Sequence, residues 1–180
     1  MGIPTLISTS TASNSTSIDI TSGIDSTYDE YMFVMTDINP ASTTAFTFQV
    51  NAAGQSGFNE TMTTTRFQAL HNEDDSGTPE LSYGTSDDLA QGTAAQRLCN
   101  TSSGSDESCA GVLHLFNPSN TTYVTHFYCR MQALADADPP SYGQDAFAAG
   151  YINTTSAIDE ITFVMVSGNF DGVIQMYGIA

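Results

Sequence analysis

Three histidines are the side chains of this sequence best suited to proton transfer near neutral pH, and they are His71, His114 and His126. His114 and His126 lie in strand-like runs, and a β-sandwich could bring them close to a carboxylate such as Asp159 for general acid–base catalysis. The chain has no nucleophile-elbow, phosphate-loop or zinc-protease motif. We therefore expect structural or surface histidines, no catalytic residues and no enzymatic activity.

An acidic run places oxygen ligands before a glycine, as the first half of an EF-hand calcium loop does: Asn72-Glu73-Asp74-Asp75-Ser76-Gly77. The bidentate glutamate expected six residues after that glycine is replaced by Tyr83, which excludes an EF-hand. A looser calcium site on Asp74 and Asp75 stays open beside a solvated acidic turn, which we favour. We expect no metal and no other cofactor. The same interpretation applies to the acidic positions Asp87, Asp88, Asp136 and Asp138.

The cysteines are Cys99, Cys109 and Cys129, an odd number that does not form a disulfide framework. The short Cys-x-x-Cys spacing common in zinc sites is missing. Cys99 and Cys109 bracket a polar loop, and they are the candidate disulfide pair in an oxidising medium. Cys129 lies in an aromatic run and is interpreted as a small buried hydrophobic residue.

Five tyrosines lie in or beside loops rich in Ser, Gly and Asn: Tyr28, Tyr31, Tyr83, Tyr142 and Tyr151. Amphipathic aromatic side chains among small polar neighbours form adaptable recognition surfaces. These tyrosines are therefore the candidate binding residues, and ordinary half-buried tyrosines are the alternative. The absence of Trp weakens the case for sugar stacking.

The charge balance excludes two classes of partner. The chain carries 20 acidic residues and 3 arginines, has no lysine, and has a net charge of −17. Nucleic acids and anionic membranes require clustered cations, which three dispersed arginines do not supply. We therefore expect no nucleic-acid and no membrane partner. Such a surface suits a salty medium, because salt screens its self-repulsion.

The length of 180 residues fits a single domain, which we expect to span 1–180. No run approaches the roughly 20 apolar residues of a membrane span, and the N-terminus has neither the basic nor the long apolar region of a secretory signal. The first seventeen residues, 1–17, are a candidate extended attachment segment.

Alternation with a period of two dominates the chain and predicts nine or ten antiparallel strands, hence an all-β sandwich. In Ala45–Asn51, for example, Phe46, Phe48 and Val50 share one face. The long gap between Gly77 and Cys109 favours a jelly roll. A short helix is allowed only over 86–97, and the final runs, 161–166 and 173–180, predict a closing hairpin.

Three stretches of the chain resemble a known group of proteins. They are the opening Ile3-Pro4-Thr5-Leu6-Ile7 with Asp25-Ser26-Thr27-Tyr28-Asp29-Glu30-Tyr31, the central His114-Leu115-Phe116-Asn117-Pro118-Ser119 with Ala149-Gly150-Tyr151-Ile152-Asn153-Thr154-Thr155-Ser156-Ala157-Ile158, and the closing Ser167-Gly168-Asn169-Phe170-Asp171-Gly172 with Met176-Tyr177-Gly178-Ile179. Over nearly its whole length the chain resembles short virion-associated proteins of tailed phages of marine bacteria, including cyanophages. The closing motif is the most specific part.

This resemblance implies a non-enzymatic structural protein on the virion exterior, either a capsid decoration or a tail-fibre or appendage subunit. It implies synthesis in the host cytoplasm, release by lysis, contact with other capsid or tail proteins, and self-association, for which we expect a homotrimer. The alternative is a receptor- or glycan-binding module of the adsorption apparatus that recognises a host-surface glycan through the tyrosine-bearing loops. A depolymerising enzyme is a third and weaker hypothesis, because no paired-carboxylate motif stands out.

Overall fold

The computed structural model describes residues 2–135 and 141–180, and these residues form thirteen strands and no helix. The described part therefore has no helix that could cross a membrane. The strands are β1 Thr5–Ser15, β2 Ser17–Ile20, β3 Glu30–Pro40, β4 Thr44–Ala52, β5 Met62–Asn72, β6 Glu80–Tyr83, β7 Ala90–Gly92, β8 Gln96–Thr101, β9 Cys109–Phe116, β10 Thr125–Ala135, β11 Tyr142–Ile152, β12 Ile158–Met165 and β13 Phe170–Ile179.

The strands form two sheets in which every pairing is antiparallel. The larger sheet has nine strands in the order β1-β13-β3-β9-β10-β11-β5-β6, with β7 also paired to β5. The smaller sheet has the order β2-β12-β4-β8. The predicted all-β, antiparallel, single-domain fold is confirmed, and the finer jelly-roll assignment stays a prediction.

Aromatic side chains pack the two sheets against each other. Phe48 of β4 meets Phe127 of β10 edge to face, with ring centroids 4.9 Å apart. Phe163 of β12 contacts Phe33 of β3 at 5.7 Å. All four side chains are buried, because strand alternation turns them towards the space between the sheets. The sequence correctly placed Phe46, Phe48 and Val50 on one buried face.

The helix allowed over 86–97 is wrong, because this stretch contains β7 and the start of β8. Gly92 pairs with Met62, and the Leu89 backbone N–H donates to the Thr64 hydroxyl, so the backbone is tied to β5. The Asp87 carboxylate is also held by Arg66 at 2.8 Å. These long-range bonds fix the segment as extended chain, and local sequence does not reveal them.

The predicted closing hairpin is also wrong, because its two strands, β12 and β13, do not pair with each other. β12 pairs with β2 and β4 in the smaller sheet, whereas β13 pairs with β1 and β3 in the larger one. The turn around Gly168, which has a φ of 78°, therefore carries the chain from one sheet to the other. β1, which lies within the candidate attachment segment 1–17, pairs along its length with β13 and forms one edge of the larger sheet.

Candidate functional site

The side of the nine-stranded sheet that faces away from the smaller sheet is the candidate functional site, and we call it the outer face. Alternation along β10 shows which residues belong to it. Phe127, Cys129 and Met131 are buried between the sheets, so the residues between and beside them point outwards. The same reasoning applies to β3, β5, β9 and β11.

The strand register arranges outward side chains in rows that cross the sheet. One row, read from β3 to β6, is Val34, Val112, Arg130, Phe147, Phe67 and Tyr83. The next row, read from β3 to β5, is Met32, His114, Tyr128, Ala149 and Thr65. Apolar and aromatic side chains dominate both rows.

The first row centres on a stacked group. The rings of Phe67 and Phe147 lie 4.7 Å apart at an interplanar angle of 8°. The Arg130 guanidinium lies 4.9 Å above the centre of the Phe147 ring. Arg130 also donates to both carboxylate oxygens of Asp145, at 3.0 and 2.7 Å, and this bond raises the pKa of Arg130. The group presents a flat apolar surface beside a fixed polar pair.

The second row carries another stack. The rings of His114 and Tyr128 lie 4.6 Å apart, and Phe116 extends the stack to the end of β9. His114 Nδ1 is hydrogen-bonded to the Glu30 carboxylate. His114 therefore pairs with Glu30 and not with Asp159, the acid considered from the sequence. Aromatic rings held flat and half-exposed in this way can stack on a ligand or pack against a protein.

Three depressions open on the outer face. The largest has a volume of about 680 Å³ and lies over β9, β10 and β11, where Tyr128, Arg130 and Phe147 line it. A second, of about 490 Å³, shares Gln132 and Asp145 with the first and extends towards β6. A third, of about 370 Å³, lies at the other end of β10 and β11. The outer face is thus a broad surface with two adjoining hollows and a separate third one, and not a closed cleft.

Charge is sparse at the centre of this face. Across β5, β9, β10 and β11 the outward residues include one carboxylate, Asp145, and one guanidinium, Arg130, whose formal charges cancel with histidine neutral. The flanking strands add Glu30 and the exposed Asp37 on β3 and the exposed Asp171 on β13. The whole chain carries −17. All three histidines lie on this face, at His71, His114 and His126. The centre of the outer face is therefore nearly neutral on an otherwise strongly acidic protein.

The structure separates the five candidate tyrosines. Tyr83 and Tyr151 point outwards on the outer face, where Tyr151 lies against His126. Tyr31 is fully buried and its hydroxyl donates to the Asp25 backbone oxygen at 2.9 Å, so it presents no surface to a ligand in this structure. Tyr28 is half-buried with its ring edge-on to Tyr31. Tyr142 shares the inward side of β11 with the buried Gln144.

The weak calcium candidate gains no ligand set. Asp74 accepts a hydrogen bond from the Ser76 backbone N–H at 2.9 Å, and hydrogen bonding by the Ser76 side chain and backbone lowers the pKa of Asp74. Asp75 lies 3.4 Å from the His71 ring. Within 2–135 and 141–180, no group of three or more His, Cys, Asp or Glu side chains could hold a metal ion. Asp136 and Asp138 lie outside the described residues.

The candidate disulfide pair is in contact but not bonded. Cys99, Cys109 and Cys129 are buried free thiols. The hydrogen bond with the Cys99 thiol and burial raise the pKa of Cys109 well above its usual value, and burial raises that of Cys129. Buried neutral thiols are poor nucleophiles. A Cys99–Cys109 bond in an oxidising medium stays a prediction.

Sequence reasoning missed the outward residues Phe67, Phe147, Arg130 and Tyr128. The available signal was in β10, which has large side chains on both sides, for example at Phe127 and Tyr128. A strand of a sheet with one solvated face normally has polar residues on the solvated side. Such a strand presents an apolar surface on each side, and an apolar surface exposed in this way is a candidate contact surface. No protein-family model and no curated protein sequence matches this chain.

Proposed function

We propose that this protein is a non-enzymatic structural protein of a phage virion exterior, a capsid decoration or a tail appendage subunit, and that it attaches through its outer face. The observation that carries the proposal is an aromatic face with a nearly neutral centre on a chain with a net charge of −17. The sequence resemblance to virion-associated proteins supports the viral setting.

Electrostatics favour this face as the contact surface. Two acidic bodies repel each other, and the repulsion is smallest where the approaching surfaces carry least charge. Apolar contact then provides the attraction. Phe67 is 43% exposed, Tyr83 50% and Tyr128 45%, so each retains surface that a partner can bury. At roughly 25 cal/mol per Å² and about 100 Å² for each half-exposed ring, each contributes about 2–3 kcal/mol on burial.

We also propose that the protein is a homotrimer, because closed rings are the common way to build symmetric exterior assemblies. Size-exclusion chromatography with light scattering should then give about three times the chain mass of 19.1 kDa. A measured mass equal to that of one chain at micromolar concentration would contradict the homotrimer. Attachment through the outer face would then be tested separately.

Incorporation into particles tests the main proposal. Phage particles produced with the wild-type chain should contain it, as measured by quantitative mass spectrometry after gradient purification. Tyr128→Asp adds a charge to the outer face and should lower incorporation at least tenfold. Val166→Asp is the matched control, because Val166 is 64% exposed and follows β12 of the smaller sheet. Absence of the wild-type chain from purified particles, or retention of Tyr128→Asp, contradicts the proposal.

A glycan-binding module is the second candidate function, and the depression of about 680 Å³ favours it. Sugars are recognised by flat aromatic rings beside planar hydrogen-bonding groups, and this depression combines Tyr128 and Phe147 with Arg130 and Asp145. A glycan array probed with the isolated protein tests this function. Tyr128→Ala should abolish binding, whereas Tyr123→Ala, which changes a tyrosine that lines none of the three depressions, should not. An array without signal contradicts it.

A further inference from the structure

A second feature lies inside the sandwich, away from the outer face. Arg66 points inwards from β5, and its side chain is fully buried. The segment 84–89 runs beside β5, because Gly84 donates its backbone N–H to the Arg66 carbonyl at 2.8 Å and Leu89 accepts from Thr64 at 2.9 Å. A buried guanidinium retains its positive charge, so its partners decide whether the site is stable.

The hydrogen bonds of Arg66 use one end of the guanidinium. Nη1 donates to Asp87 Oδ2 at 2.8 Å and to Gln68 Oε1 at 3.0 Å. Nε and Nη2 are buried and have no hydrogen-bond acceptor among the described side chains and backbone. These two nitrogens form one edge of the guanidinium, with two nearly parallel donors. Arg130 uses the same edge to hold both oxygens of Asp145.

The cluster of charged side chains around Arg66 has a net positive charge. Asp87 is shared, because Arg97 Nη1 lies 3.3 Å from Asp87 Oδ1 while Arg66 holds Oδ2. Two guanidinium groups and one carboxylate leave a formal charge of +1. The side chains that join this cluster to β11 are the neutral amides Gln68 and Gln144. Burial lowers the pKa of Arg66, and the nearby Arg97 acts in the same direction while Asp87 opposes it. Asp87 therefore balances only part of the charge.

We propose that the Nε and Nη2 edge of Arg66 binds a small monovalent inorganic anion, chloride in a salty medium. A chloride accepts two N–H donors at once and neutralises the excess charge. A water molecule satisfies the donors but leaves the charge in place.

The proposed site adjoins a cluster that connects three parts of the fold. Arg66 belongs to β5, Asp87 to the segment between β6 and β7, and Arg97 to β8 of the smaller sheet. An anion that binds the folded state and not the unfolded one stabilises the fold by mass action. Each tenfold rise in chloride above its dissociation constant should raise Tm by about 3–6 °C for a chain of this length.

The test is thermal unfolding of the full chain at constant ionic strength, with sodium chloride replacing sodium gluconate. We expect Tm to rise with chloride for the wild type and for Arg130→Met, which removes an arginine from the outer face. Arg66→Met should lose the chloride response whatever its absolute Tm.

Crystals soaked in sodium bromide provide the second measurement, which does not depend on the folding of any variant. Anomalous diffraction should show one bromide within about 3.5 Å of both Nε and Nη2, a distance suited to hydrogen bonding by a halide larger than oxygen. A map with only a water molecule at this edge overturns the proposal. A wild-type Tm that does not respond to chloride at constant ionic strength overturns it as well.

Discussion

Two neighbouring residues of β10 should respond very differently to the same substitution. Phe127 is 3% exposed and packs edge to face on Phe48 of the other sheet at 4.9 Å, whereas Tyr128 is 45% exposed on the outer face. Phe127→Ala removes a ring from the close-packed interior and should cost about 3–5 kcal/mol. Tyr128→Ala loses stacking on His114 and should cost about 1 kcal/mol.

Urea unfolding followed by circular dichroism measures both costs. At an m-value near 2 kcal/mol/M, Phe127→Ala should lower the midpoint by roughly 1.5–2.5 M and Tyr128→Ala by roughly 0.5 M. The measurement should be repeated at several protein concentrations, because association through the outer face makes the wild-type midpoint depend on concentration, and loss of that association in Tyr128→Ala adds to its apparent cost. Equal costs, or a larger cost for Tyr128→Ala, would refute the assignment of faces, since a one-residue register shift exchanges them.

Three further outcomes follow from the packing and the titrating groups. The native protein should react slowly with a thiol reagent at pH 8, because all three cysteines are buried and the pKa values of Cys109 and Cys129 are raised. In urea all three cysteines should react. Fast labelling of the native protein contradicts this. Deletion of 173–180 should abolish folding, since β13 pairs with both β1 and β3, and a soluble truncated protein with cooperative unfolding would be the opposite result. Burial raises the folded-state pKa of Asp159 above its unfolded value. Ionisation of this carboxyl group therefore lowers the free energy of unfolding of the protein as pH rises from the unfolded-state pKa to the folded-state pKa. Asp159→Asn should therefore raise Tm at pH 7 and have little effect near pH 3, and an unchanged or lower Tm at pH 7 would show that the carboxylate is not destabilising.

Alternation in the sequence was sufficient to predict the fold class and part of the core. Phe46, Phe48 and Val50 repeat with a period of two and are buried, because a strand turns every second side chain to the same side. Alternation does not reveal the partner of a strand. The runs that form β12 and β13 look like a hairpin in sequence, but their pairing depends on β2, β4, β1 and β3, which are distant along the chain.

The candidate site was harder to predict for a related reason. Loop composition drew attention to Tyr28 and Tyr31, but the Tyr31 hydroxyl is satisfied by Asp25 and its ring lies in the core. The outer face is assembled from outward residues of strands far apart in sequence, such as Phe67 and Phe147, which become neighbours only through the pairing of β5 with β11. Burial and register determine such a surface, and neither is visible in local composition.

Cryo-electron microscopy of a phage particle that carries this chain tests the central claim most directly. The account predicts a β-sandwich on the particle exterior whose outer face, with Phe67, Tyr128 and Phe147, lies against a neighbouring protein. Two results would contradict it: a particle without this subunit, or a bound subunit whose outer face is directed to solvent while another surface makes the contact.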